Sequence, residues 1–287
     1  MLPLRVQFRT RFNRFHTIAS QRSMSISVGF EERSDGRVAT VTIRNARALN
    51  TLNSALLTQF VAAFAELSQD EKLRCVVLAA EGAKAWVGGA DIKEMAKIKA
   101  PSEARDFIRK VHGACQAVRS CPVPVIARIQ GFTLGGGLEL AAACDFRVAT
   151  EGSVFGMPEV KVGLPSVVEA ALLPHLIGWG RARYLVLTGA NINAATAISW
   201  GLIEFLVPDE ASLDAKVSEC VDHILSSGPR AVRLQKELVA RWEELGVRAA
   251  VEEGVKAFGR AYEGDEPRRY MDKTFFGRKQ GDGHEKL

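Results

Sequence analysis

The chain has 287 residues, 47% hydrophobic and 25% charged, the balance of an ordinary globular protein with one large domain and room for an appendage. No stretch reaches the roughly 18 apolar residues of a membrane-spanning helix, and five scattered cysteines without a C-x-x-C pair argue against a disulfide framework or thiolate metal site. The net charge of +5 equals the five arginines Arg5, Arg9, Arg11, Arg14 and Arg22 of the acid-free first 29 residues, so the body is neutral and no nucleic-acid partner is expected.

Residues 1–29 intersperse those arginines with Leu4, Val6, Phe8, Phe12 and Phe15 and several Ser and Thr. This is the composition of a mitochondrial transit peptide, so the expected address is the mitochondrial matrix. The competing address is the peroxisome, from Glu285-Lys286-Leu287, a poor variant of the Ser-Lys-Leu signal.

Beyond the leader, Arg37–Arg44 alternates and is β-branched, as a strand should be. A helix is expected from about Asn53 to Leu67, with Leu56, Phe60, Ala63, Phe64 and Leu67 on one face. Cys75–Ala80 reads as a strand buried on both faces, followed by a loop with Gly82, Gly88 and Gly89. Asp91–Met95 opens a short helix, residues 102–119 form an amphipathic one, and Pro122–Ala127 leads into another buried strand. Gly135-Gly136-Gly137 introduces a small-residue helix, Leu138–Cys144, and short strands follow at Phe146–Ala149 and Val154–Gly156. From Val167 the pattern is helical, broken by one strand at Ile203–Val207. Recurring strand-loop-helix units followed by a helical tail predict an α/β or α+β core.

Three stretches carry chemistry. In Lys84-Ala-Trp-Val-Gly-Gly-Ala-Asp-Ile-Lys93, two glycines ahead of a helix start leave backbone N–H groups open to an oxyanion. In Gln130–Leu140, three glycines precede a helix that carries Glu139 in its first turn among Leu138, Leu140 and alanines; an acid in such company is paired, shifted or functional. Neither G-x-G-x-x-G nor G-K-[ST] is present, which removes dinucleotide-binding and P-loop readings. In Phe155–Pro165, Glu159 follows Pro158, whose ring restricts the backbone that holds the side chain.

In this order and spacing the three stretches resemble the signature of the enoyl-CoA hydratase/isomerase family, the crotonases, over about Val38 to Arg278. The resemblance implies a crotonase/ClpP-like α/β spiral of β-β-α units over residues 30–210. It also implies a helical C-terminal region over 211–287 that builds homotrimers or hexamers. Two backbone N–H groups, by motif those of Ala90 and Gly136, would hold the thioester oxygen of an acyl-CoA substrate. Glu139 would activate water for attack at C3 and Glu159 would protonate C2, making a 3-hydroxyacyl-CoA from a 2-enoyl-CoA. No cofactor is implied, because coenzyme A enters as part of the substrate.

Lys84, Ala85, Trp86, Asp91 and Ile92 are implied near the CoA, with Lys273, Arg278 and Lys279 as candidates for its phosphates and Asp145 as a fold-organising residue. The chain departs from the family where a Pro-Gly-x-Gly-Gly-Thr segment is usual: Val167, Val168 and Glu169 bring bulk and an extra acid. The alternatives are a Δ3-Δ2 enoyl-CoA isomerase and a non-catalytic RNA-binding homologue. The retained pair of glutamates favours hydration over the first, and the neutral body opposes the second.

Overall fold

The computed structural model describes residues 24–276. Strands β1 (Ser25–Arg33) and β2 (Gly36–Arg44) form an antiparallel hairpin. Ser25–Gly29 therefore belong to a paired strand, and the folded body starts inside the stretch read as leader; residues 1–23 lie outside the described residues. Helix α1 (Ser54–Leu67) starts where the side chain of Asn53 accepts the Leu56 N–H at 2.9 Å, satisfying a donor that the first turn leaves orphaned. It buries Leu56, Leu57, Phe60, Phe64 and Leu67, whereas Ala63 is only half-buried.

There follow β3 (Leu73–Ala80), β4 (Ala85–Val87), α2 (Ile92–Met95), α3 (Pro101–Arg119), β5 (Val125–Ile129), β6 (Phe132–Leu134) and α4 (Gly136–Ala143). Next come β7 (Phe146–Thr150), β8 (Val154–Gly156), 3-10 turns at Pro158–Val162 and Val168–Leu172, α5 (Leu173–Ile177) and α6 (Trp179–Thr188). The chain continues through β9 (Asn191–Asn193), α7 (Ala194–Trp200) and β10 (Phe205–Val207). It then enters the helical region, α8 (Glu210–Ser226), α9 (Pro229–Glu244), α10 (Val247–Ala261) and α11 (Glu266–Met271).

A six-stranded sheet runs β1-β2-β3-β5-β7-β10, parallel after its first hairpin, and a second sheet runs β4-β6-β8-β9. From β3 to β8 successive strands alternate between the sheets, and each pair is followed by helical structure. That is the expected spiral of β-β-α turns. From Cys75 to Ala80 β3 is apolar because both faces are covered. Cys75 and Val77 pack under Leu213, Val217 and Val221 of α8, while Val76 and Leu78 join the main core with Phe60 and Phe64.

Four strands escape the sequence reading, the first being β1, which begins inside the stretch read as leader. β4, β6 and β9 span three residues each, too few to display a period of two, and β4 lies in what reads as a loop. The strand expected over Ile203–Val207 forms only over Phe205–Val207.

Candidate active site

The site is built where α4 leaves β6. At Gly135, φ is 53° and ψ is −125°, a backbone that side-chain-bearing residues avoid, and a methyl group there would collide with the Glu159 carboxylate. The next residue starts the helix. A methyl placed on Gly136 would lie 3.7 Å from the Ala90 amide nitrogen and 3.8 Å from Glu139 Oε2, with Val111 Cγ1 of α3 at 3.5 Å. One at Gly137 would strike the Val87 carbonyl, so glycine lets α4 press onto β4, backbone against backbone. These neighbours of two adjacent glycines bring together the four groups singled out in the sequence: Ala90, Gly136, Glu139 and Glu159.

Ala90 is fixed from its rear. The Leu52 N–H donates to the Gly89 carbonyl and the Asp91 N–H to the Leu52 carbonyl, both at 2.9 Å, so the bridge to Leu52 holds the carbonyl of the Gly89–Ala90 peptide and leaves the N–H on its opposite edge open. Neither the Ala90 nor the Gly136 N–H has an acceptor among the described residues. The loop behind them is pinned by Asn50, fully buried at φ 53°, whose Nδ2 donates to the carbonyls of Glu81 (2.9 Å) and Ala85 (2.8 Å). Its Oδ1 accepts the Asn45 N–H at 2.8 Å. Sequence reading missed Asn50, because its partners are backbone groups that no motif reveals.

Glu139 is 3% exposed. Burial, followed by the negative charges of Glu159 and Glu169, pushes its carboxyl up to about 8, against a weaker pull from the backbone amides of Ala170 and Val167. Glu159, on the first 3-10 turn, is also raised by burial, a shift that a hydrogen bond from Ser166 Oγ to Oε2 (2.8 Å) opposes. Two acids of unequal burial side by side share protons as a unit, and in the free chain burial favours leaving the proton on Glu139. Ser166 is a second residue that the sequence reading did not find. Glu169, the extra acid, is buried on the second 3-10 turn, and its Oε1 lies 2.6 Å from His112 Nδ1.

The other implied CoA contacts separate. The Lys84 and Ile92 side chains face solvent. Ala85 and Trp86 are buried, and Trp86 donates its indole N–H to the Leu78 carbonyl at 3.3 Å, so as side chains they belong to the core and only their backbone is left for a ligand. Asp91 caps α2 by accepting the N–H groups of Lys93 (2.8 Å) and Glu94 (3.0 Å), which occupies it structurally. Asp145 ties β5 to α9, accepting the Val125 N–H at 2.6 Å and the Lys236 ammonium at 2.7 Å. Lys273 is exposed after α11; Arg278 and Lys279 lie outside the described residues.

Two open N–H donors, beside one buried and one half-buried carboxyl, suit a reaction that develops negative charge on one oxygen while protons move nearby. Comparison with known proteins points the same way. Residues 33–275 match a family model described as enoyl-CoA hydratase/isomerase. The short-chain-enoyl-CoA hydratase of Clostridium acetobutylicum is 35% identical over 239 residues, 83% of this chain and 90% of that protein. The mitochondrial enoyl-CoA hydratase domain-containing protein 2 of Bos taurus is 30% identical over 236 residues, 81% of this chain and 78% of that one. An enoyl-CoA hydratase structure from Bacillus anthracis superposes with a TM-score of 0.79 at 33% identity, covering 85% of this chain and 93% of its own.

Proposed function

Because the chain belongs to the enoyl-CoA hydratase/isomerase family, we propose that it adds water across the 2,3 double bond of a 2-enoyl-CoA, with Glu139 and Glu159 as its acid–base pair. The observation that carries this reading is the convergence at Gly135–Gly136 of both carboxyls and the Ala90 amide. The thioester oxygen sits between the Ala90 and Gly136 N–H groups, where each donor is worth about 3 kcal/mol to a developing enolate. The water's oxygen bonds to C3 and one of its protons passes to one carboxyl. The other carboxyl gives its proton to C2, so the pair ends with the single proton it began with. The family division of labour makes Glu139 the base and Glu159 the acid. Since burial favours the resting proton on Glu139 in the free chain, that division requires the proton to move to Glu159 once substrate fills the site.

The test is incubation of the purified protein with crotonyl-CoA, following loss of the enoyl-thioester absorbance. Failure to hydrate any short or medium 2-enoyl-CoA, with turnover of a 3-enoyl-CoA, would assign the site to double-bond isomerisation instead.

The finer assignments belong to the same proposal. Self-assembly into trimers or paired trimers is supported by α10, which exposes Val247, Val251, Val255, Phe258 and Tyr262 along one stripe, each between 57% and 82% exposed. Beside it, a hollow of about 330 Å³ between α9 and α10 is lined by Trp242, Leu245, Val247, Ala250, Val251 and Gly254. A mitochondrial matrix address is supported by the acid-free, Arg-rich first residues and by the mitochondrial bovine relative. Among the described residues no helix is long and apolar enough to cross a membrane.

A further inference from the structure

Glu169 is buried (6% exposed), and its two oxygens are held unequally: His112 Nδ1 lies 2.6 Å from Oε1, while Oε2 is buried with no geometric hydrogen bond among the described residues, and only the thiol of Cys115, a weak donor, adjoins the carboxylate. An unpaired buried carboxylate oxygen typically costs about 1–3 kcal/mol, and packing gains nothing from it. The backbone just before it is strained as well, since Val168 sits at φ 38°, a region β-branched residues avoid. Two independent costs in adjacent residues, beside a catalytic acid, mark a site kept for function rather than stability.

Three elements pack around Glu139: the second 3-10 turn with Glu169 lies against α4, α3 with Cys115 and, one helical turn earlier, His112 packs on both, and Glu159 of the first 3-10 turn reaches the adjacent Gly135. The His112 side chain is 51% exposed, so its ring links a buried carboxylate to solvent. An ionised carboxylate only accepts, so His112 donates its Nδ1–H to Oε1.

We propose that Glu169, oriented by His112, is a positioning residue for Glu139: held on the second 3-10 turn, which packs against α4, it sets a carboxylate charge beside the carboxyl that handles the proton in hydration. The roles rest on the hydratase reading, but the electrostatic coupling does not, and it can be read without turnover. The measurement is an infrared titration of the Glu139 carboxylic-acid stretch, identified as the band lost in Glu139→Gln. In Glu169→Gln the titration midpoint falls by about one pH unit, the effect of removing a neighbouring like charge. In His112→Gln the charge remains and the midpoint does not fall. Should Glu169→Gln fail to fold, Glu169→Asp withdraws the charge by one methylene and moves the midpoint the same way by a smaller amount.

A midpoint unmoved in the folded Glu169 variant, or one that falls equally in His112→Gln, overturns the proposal. Run in parallel, the acid limb of kcat/KM on crotonyl-CoA follows the infrared midpoint. A wild type without hydratase activity would refute the function while leaving the infrared result to judge the coupling.

Discussion

Replacing Glu139 with glutamine should abolish catalysis and yet stabilise the fold at neutral pH. In the unfolded chain this carboxyl ionises near its ordinary 4.5, but in the folded chain it holds its proton up to about 8. Between those values the unfolded state binds fewer protons than the folded state. Stability contributed by the neutral carboxyl is therefore complete below 4.5, declines as pH rises, and is exhausted above about 8. From 4.5 to neutrality is two to three pH units at about 1.4 kcal/mol each, so the loss reaches roughly 3 kcal/mol, an upper figure because the site can relax. Glutamine keeps the shape and never ionises. Urea denaturation of wild type and Glu139→Gln across this range, at one protein concentration, should show curves that coincide in acid and diverge in favour of the variant toward pH 8, then run parallel. Hydratase turnover of the variant should meanwhile fall at least about a hundredfold with CoA-ester binding retained. A stability difference that does not change with pH would refute the burial argument, whatever happens to turnover.

Glu159→Gln should likewise lose at least about a hundredfold in turnover, with thioester affinity by calorimetry nearly unchanged. Asn50→Ala removes three hydrogen bonds, one buried and two part-buried, and leaves two carbonyls and one N–H without that partner; about 3 kcal/mol of stability should be lost in chemical denaturation. Gly137→Ala forces a methyl into the Val87 carbonyl, so α4 must shift off β4. The expected destabilisation is about 1–3 kcal/mol, with kcat falling more than KM rises, because the shift separates the two N–H donors.

The parts of the molecule legible in the sequence are those with local or periodic causes. The apolar run Cys75–Ala80 announces the part of β3 that is covered on both faces, and α1 announces itself by its apolar face. Glu139 and Glu159 stand out through their company of glycines and proline together with the family resemblance, since a separation of 20 positions along the chain conceals that they meet. Asn50 and Ser166 were not found. Each acts through one or two hydrogen bonds to a partner that only the folded chain brings near, Ala85 for Asn50 and the Glu159 carboxylate for Ser166. Trp86 shows the opposite error: an aromatic residue in a motif invites a ligand, whereas its indole is satisfied in the core by the Leu78 carbonyl. Glu169 stood out as an added acid, but its pairing with His112 depends on how α3 crosses the second 3-10 turn.

The seat of α4 on β4 separates two properties that proteins often cannot vary independently. Gly137 meets the Val87 carbonyl directly; the chain reaches Ala90 three residues after Val87, and the helix begins at Gly136. The spacing of the two amides is thus gauged by main chain, with no side chain interposed as a shim. Residues such as Val160, Val162 and Val167, exposed around the carboxyls, can then drift in size and shape without detuning the amides. A scaffold of this kind lets neighbouring side chains be exchanged one at a time, while the spacing of the two amides is inherited intact.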